Sequence, residues 1–481
     1  MSDSIKDAFD YCIKQGAEYA DIRCKDIQTE VLDMEDGIVC NISSERSRGY
    51  GIRVFIGGAM GFAATADEKN LTDTAKKACE IAEAGRLLTS NPIKLAKKEA
   101  VWGTYRTPYE IDPFTVPAEE KIKLLAECHA IMRKTADVAK TMSIMNFRRE
   151  DVIFADTDGC RINQSFLQSS AAISARAVSD NDMQVRSYGN TLRAGYEMII
   201  DMQLEQNARR ISRESVELIN AQQCPSGFFD LLLTPTQLQL QIHESVGHPT
   251  ELDRIFGSEA AFAGTSFITP DNLLKKEQIK YGSEHVTIIA DATADCAGGL
   301  GTFGFDDEGV PAAKTVLVDK GMLAGVQSSR DNSIKINRLS GGMGLSDGWQ
   351  NMPIVRMTNI NLMPGDFELE NLIGGIEYGF MLDENKSWSI DDKRVNFQFA
   401  CEIAYEIKDG NLTGKIFKDP IYTGKTTEFW GSCDGICHAG LWRVVGVPNC
   451  GKGQPMQIMR VAHGSAPSRF RKVKVGVSDD K

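Results

Sequence analysis

Apolar and polar positions along the chain follow two periods, and the switches between them mark its elements. Apolar residues from Ile5 to Gln15 recur at helical spacing and predict an opening helix. Strands follow, with Asp36-Gly37 and Gly57-Gly58 as hairpin turns, and Ile52, Val54 and Ile56 on one face against Arg53 and Phe55 on the other. A helix is expected from about Asn70 to Ala84, a connector at Thr107-Pro108 and Asp112-Pro113, and another helix from Pro117 to Arg133. A second strand-rich section starts near Thr141, turns at Asp158-Gly159 and ends in an amphipathic helix carrying Leu204, Ala208, Ile211 and Ile219. Gln222 to Gly227 reads as a linker. Strand and turn signals dominate beyond it, as at Thr315 to Asp319, Lys320-Gly321, Ala404 to Ile407 and Asp409-Gly410. The glycine-rich run Ser340 to Gly344 lacks the lysine and the strand-then-helix setting of a phosphate loop, so it reads as a mobile surface loop.

This pattern predicts an α+β protein. Residues 1–222 would form an N-terminal mixed α/β region with a long antiparallel sheet, in sub-parts of about 1–90 and 115–222. Residues 227–481 would form a β-rich C-terminal domain that opens with the helix carrying the candidate chemistry.

Length and charge narrow the function classes. A chain of 481 residues exceeds one ordinary core and can enclose a substantial site. A formal net charge of -12 argues against a large phosphate-binding face, so no direct nucleic-acid partner is expected. The basic residues Arg469, Arg471, Lys472 and Lys474 suit the exposed side of a last strand. The first residues lack an apolar signal region and the longest apolar runs, such as Phe228 to Leu233, fall short of a membrane span; a cytoplasmic protein is expected, with no membrane partner. The 12 cysteines are scattered, which suits reduced thiols.

The chemistry concentrates in His243-Glu244-Ser245-Val246-Gly247-His248. The chain has only 6 histidines, yet two of them flank a glutamate here. Thr234 suits an N-cap, Pro235 the first helical position, and Gln237 completes a capping-box pattern, while Gly247 and Pro249 signal the end of the helix. The alternation of Leu238, Leu240 and Ile242 with glutamines would also fit a strand, and the caps decide for helix. Histidines five apart on a regular α-helix point about 140° away from each other, so both can face one ion only through a π-bulge or an unwound last turn. The irregularity is expected between Ser245 and His248.

Neutral imidazoles are good zinc ligands, and a catalytic zinc keeps one position open, so a third protein ligand must come from elsewhere. Glu251 and Asp253 are candidates, as are thiolates from the cysteine-rich end with Cys433, Cys437-His438 and Cys450. Those four could also form a separate structural site. Glu244 is the natural general base, because zinc acidifies a coordinated water and polarises a carbonyl while a nearby carboxylate accepts the proton. The reaction class this predicts is amide hydrolysis.

Several separated blocks resemble the TldD branch of the TldD/PmbA family, known as modulators of DNA gyrase and regarded as metallopeptidases. They are His243 to His248, Asp306-Asp307-Glu308-Gly309, Arg356-Met357-Thr358-Asn359 and Cys450-Gly451-Lys452-Gly453, with the strands around Gly51 to Phe62 also similar. The resemblance implies Zn2+ held by His243, His248 and Cys450, with Glu244 as the catalytic base. It also implies unfolded or extended peptides as substrates, low sequence specificity, and a homodimer or a heterodimer with a PmbA-like partner. The crowded C-terminus departs from the family pattern, so Cys433, Cys437 and His438 stay beside Cys450 as candidates.

Asp306 to Glu308 reads as a solvated turn, or as a grip on a peptide amine through Asp307. Arg356 and Asn359 would bind substrate backbone or brace a loop. His463 sits in a surface turn or donates to an oxyanion. His129 and His285 read as structural. The function expected is a zinc-dependent metalloprotease, the alternative a metal-containing, non-catalytic scaffold that regulates a partner.

Overall fold

The computed structural model describes residues 2–296 and 298–476. Its N-terminal half is built on one sheet of seven strands, and the two expected sub-parts share it. The sub-parts join where Tyr19–Glu35 pairs antiparallel with Val138–Asp156, from Asp21 opposite Asp156 to Glu35 opposite Met142. Helices Asp3–Lys14 and Leu71–Arg86 cover one end of this sheet, and Ala118–Met132 and Leu204–Asn220 cover the other. All four fall where the periodicity predicts them.

Strand alternation explains how this half meets the rest. In Tyr19–Glu35, the even positions Ala20, Ile22, Cys24, Leu32 and Met34 enter the two helix-covered cores. The odd positions Asp21, Arg23 and Lys25 face the other way, a pattern that in a two-layer protein means solvent. Here they are buried against the C-terminal half. Lys25 Nζ lies 2.8 Å from Asp307 Oδ2, Arg53 reaches Asp21 at 2.7 Å and Glu308 at 2.8 Å, and Arg23 donates to Ser346 Oγ at 2.7 Å. The acidic run Asp306 to Glu308 is therefore no solvated turn. Asp307 and Glu308 leave water because basic partners on the N-terminal sheet meet them there, while Asp306 accepts from the backbone N–H groups of Glu308, Val310 and Gly344.

The C-terminal half holds a six-stranded and an eight-stranded sheet around one apolar core. The second closes on itself, since Tyr378–Ile390 pairs both with Gly227–Leu233 and with Asn396–Lys408. Helix Pro235–Ile242 lies between the two sheets, against Tyr378–Ile390 on one side and Arg443–Lys452 and Gln457–Ser465 on the other. That position accounts for its ambiguous pattern. A helix enclosed by two sheets needs no polar face, so Gln237 and Gln241 are as buried as Leu238 and Ile242.

Three local expectations need correction. Thr234 stands at the N-cap, but no capping box forms, because its hydroxyl is taken by Leu382 O and Asp383, and the Gln237 amide donates to Tyr422. The linker residues Gln222-Gln223 form a short strand beside Phe417 and Lys418. Ser340 to Gly344 is packed rather than a surface loop: Met343 is buried, and a Cβ on Gly344 would lie 2.7 Å from the Glu308 side chain. Among the described residues no helix is long and apolar enough to cross a membrane.

Candidate metal centre

The helix changes character where the histidine spacing demands it. After Pro235–Ile242 the chain takes a π-helical turn over His243–Gly247, then a 3-10 turn over His248–Thr250. The His248 N–H donates to the His243 carbonyl, the i→i+5 bond that stacks residues five apart. The distortion starts two residues earlier than the expected Ser245, and as a result the two imidazoles stand on one side with ring centroids 4.7 Å apart. Gly247 permits this, since a Cβ there would lie 2.3 Å from Met357 Sδ.

The third member comes from the six-stranded sheet. Its adjacent strands Asn359–Leu362, Gln457–Ser465 and Arg443–Lys452 carry Ile360, His463 and Cys450 beneath the helix. A bulge between Val447 and Cys450 sets two residues against one on the neighbouring strand and turns the cysteine toward the histidines. Cys450 Sγ lies 3.8 Å from His248 Nε2, and one ligand atom from each of His243, His248 and Cys450 lies within 4.8 Å of the others. Tetrahedral zinc with ordinary Zn–S and Zn–N bonds separates S and N by about 3.6 Å, so the donor set fits such an ion and leaves a fourth position free.

Hydrogen bonds orient both imidazoles. His463 Nδ1 donates to Ile360 O at 3.0 Å, which leaves His463 Nε2 to accept the Nδ1–H of His243 at 2.8 Å. His248 Nδ1 donates to Glu251 Oε2 at 2.9 Å. Each motif histidine thus keeps an Nε2 lone pair for the centre, the tautomer that such outer partners impose on metal ligands.

Electrostatics favour the binding forms. Burial pushes the His243 pKa down to about 4, only partly opposed by Glu244 and Glu251, and burial likewise lowers those of His248 and His463. Burial alone would raise the Cys450 thiol, but Arg356 and His248 bring it below its ordinary value. Burial also opposes ionisation of Glu251, yet Lys452, His248 and Arg254 hold it well below the carboxylate range.

The sequence candidates separate cleanly. Glu244 is buried beside His243, with Oε1 accepting from Trp388 Nε1 at 3.0 Å and Oε2 from Arg394 at 2.7 Å. Glu251 accepts from His248, and Lys452 Nζ approaches Glu251 and Asp253 at 3.2 and 2.8 Å, so neither carboxylate joins the His243, His248 and Cys450 group. His438 pairs with Glu368 at 3.2 Å, Cys433 faces Phe470 across a strand pair, and neither these nor Cys437 joins a metal-binding group among the described residues.

The proposed substrate contacts are all enclosed. Asp307 is tied to Lys25 and Ser346. Arg356 donates to Gln457 O at 3.0 Å and to Cys450 O, bracing the cysteine strand. Asn359 spans Asp291 O, Thr302 Oγ1 and the Gly301 N–H. His463 is fully buried in a strand, not in a surface turn, and both its nitrogens are engaged, so it offers nothing to an oxyanion. Trp388 and Arg394 escaped sequence reading because they lie about 150 residues from Glu244 with no motif around them.

Comparison with known proteins places the chain among metallopeptidases. Residues 226–475 match the PmbA/TldA metallopeptidase C-terminal domain, 20–82 its domain 1 and 111–222 its central domain. A metalloprotease of Methanothermobacter thermautotrophicus is 30% identical over 96% of both chains. A zinc metalloprotease TldD homolog of Saccharolobus solfataricus is 22% identical over 96% of this chain and 97% of its own. The crystal structure of TldE from Thermococcus kodakarensis shares the fold, with a TM-score of 0.75 at 15% identity over 98% of this chain and all of that one. With three family domains matched along its length and a relative alike from end to end, the chain belongs to the PmbA/TldA metallopeptidase family.

Proposed function

We propose that this protein is a zinc metalloprotease that hydrolyses unfolded or extended peptides with low sequence specificity, holding the ion through His243, His248 and Cys450. The observation that carries this reading is the convergence of three buried donors from a π-turn and a bulged strand, with one coordination position left over. Bound zinc would polarise the scissile carbonyl and acidify the attacking water. Glu244 then takes the water's proton and passes it to the leaving amine. His463 and Glu251 keep the ligands in their binding tautomers, and Arg356 holds the Cys450 backbone. Zinc is favoured by the two-imidazole, one-thiolate donor set and by the zinc metalloprotease among the relatives.

We further propose that the working form is a dimer, with itself or with a PmbA-like partner, a reading encouraged by the fold shared with TldE. Membership in a metallopeptidase family places the enzymatic reading ahead of a non-catalytic scaffold.

The test compares wild type, Glu244→Gln and Cys450→Ser for bound metal and for hydrolysis of casein-derived peptides, with and without a PmbA-like partner. Expected are about one zinc per chain and cleavage in wild type, zinc without cleavage in Glu244→Gln, and loss of zinc in Cys450→Ser. Equal cleavage by wild type and Glu244→Gln would overturn the assignment of the base.

A further inference from the structure

Glu244 does not stand alone at the edge of the centre. Its carboxylate is gripped from the closed eight-stranded sheet by Trp388 near the end of Tyr378–Ile390 and by Arg394 in the turn leading to Asn396–Lys408. Arg394 is bound at both ends of its fork: one terminal nitrogen donates to Glu244 Oε2 at 2.7 Å, the other to the Ala263 carbonyl at 2.9 Å. Such a planar fork fixes both partners at once, which a lysine ammonium does less well.

The turn that presents it is strained and well braced. Arg394 has φ 63°, a left-handed conformation that is unfavourable for a residue with a side chain. Asp391 holds the turn closed by accepting from Val395 N at 2.8 Å and Asn396 N at 2.9 Å, and Thr426 Oγ1 donates to Arg394 O at 2.7 Å. The turn thus fixes the Arg394 backbone while its side chain reaches Glu244.

Ala263 belongs to a loop bounded by Gly257 and Gly264, with φ of 82° and 83°. Arg254, already beside Glu251, also donates to the Ala263 carbonyl. At the far end Thr265 N donates to Asp392 O at 2.8 Å, and a Cβ on Gly264 would lie 2.6 Å from that same oxygen. The loop is thus strapped to the turn that carries Arg394.

We propose that Arg394 is a positioning residue for the general base: it fixes the Glu244 carboxylate and, through the Ala263 carbonyl, couples its placement to the loop 257–264. This rests on Glu244 being the base. A carboxylate freed from the clamp samples rotamers that misaim its lone pairs, and misplacement of a reacting group by about 1 Å costs on the order of a hundredfold in rate. Arg254 holds both Glu251 and the Ala263 carbonyl without help from Arg394, so loss of the Arg394 clamp alone is expected to leave metal loading and peptide affinity little changed.

The experiment compares wild type, Glu244→Gln, Arg394→Ala, Arg394→Lys and Glu244→Gln/Arg394→Ala, all zinc-loaded. It reads bound metal, kcat and KM on an unstructured peptide, and amide hydrogen exchange across 257–265. Arg394→Ala is expected to keep its metal, to lose roughly tenfold to a hundredfold in kcat with KM changed by less than about threefold, and to exchange faster across the loop. Arg394→Lys should recover part of kcat. The double variant should be no slower than Glu244→Gln, because the clamp acts only through that carboxylate. Loss of metal in Arg394→Ala, unchanged kcat, unchanged exchange, or losses that add in the double variant would overturn the proposal. If Glu244→Gln cleaves like wild type, the reading of the base itself fails, and that comparison involves no change at Arg394.

Discussion

His463 Nε2 accepts the Nδ1–H of His243 at 2.8 Å, and since His463 spends its own proton on the Ile360 carbonyl, the pair can hold only one tautomer of His243. A main-chain carbonyl two imidazoles away thereby decides which nitrogen faces the centre. Removing His463 should weaken metal binding without unfolding the protein. His463→Ala is expected to lose about 10- to 100-fold in zinc affinity, measured by competition with a chromogenic chelator. Wild-type affinity in that variant would mean that the hydrogen bond orients nothing.

Gly247 allows the π-turn to lie against Met357. Gly247→Ala should cost about 1–3 kcal/mol and reduce metal occupancy, because the new methyl meets the Met357 sulfur at 2.3 Å. Adding Met357→Ala removes that obstacle and should recover occupancy. Urea unfolding and metal content together check this, and the prediction fails if the double variant binds metal no better than the single one.

Lys25 joins the two halves by reaching Asp307 at 2.8 Å and also lies 3.4 Å from Glu150 of its own sheet, with its side chain 4% exposed. Lys25→Met leaves the Asp307 carboxylate without its cation in a buried site, while Glu150 keeps Arg148 at 2.8 Å, and should cost about 3–5 kcal/mol. Lys25→Met/Asp307→Asn should regain part of that, since an uncharged amide can still accept from the Ser346 N–H. Denaturant titration of the three proteins decides the matter; a Lys25→Met protein as stable as wild type would contradict the role given to this pair.

The metal-free protein should lose stability as pH falls from about 6.5 to about 4. The folded-state pKa of His243 lies near 4 against an ordinary 6.5, so in that window the unfolded chain binds a proton that the folded chain refuses. His248 and His463 are lowered in the same direction. Each histidine kept neutral makes stability drop by about 1.4 kcal/mol per pH unit below 6.5, until its folded pKa is reached. Imidazole NMR signals of His243 and His463 should keep their neutral shifts at pH 5.5, and protonated shifts there would refute the assignment.

Much of this protein is legible in its sequence because the signals are local. The helices Asp3–Lys14, Leu71–Arg86, Ala118–Met132 and Leu204–Asn220 follow from apolar spacing, and the turns at Asp36-Gly37 and Asp409-Gly410 from residues that tolerate positive φ. The need for a distorted helix at His243 to His248 follows from arithmetic, since five residues on a regular α-helix overshoot one turn by about 140°. What tertiary structure decided are contacts between residues far apart in the chain. Asp307 and Glu308 look like part of a solvated turn until Lys25 and Arg53 arrive from the other half, and His463 looks like a turn residue until its strand slides beneath the motif helix. Spacing alone does not choose among Cys433, Cys437 and Cys450, the family block favours Cys450, and the bulge after Val447 and the neighbouring strand order are what bring it to the histidines. Residue types specify which interactions a side chain can make, but burial and long-range packing determine which of them is made, and Arg394 at Glu244 is the instance no local pattern announces.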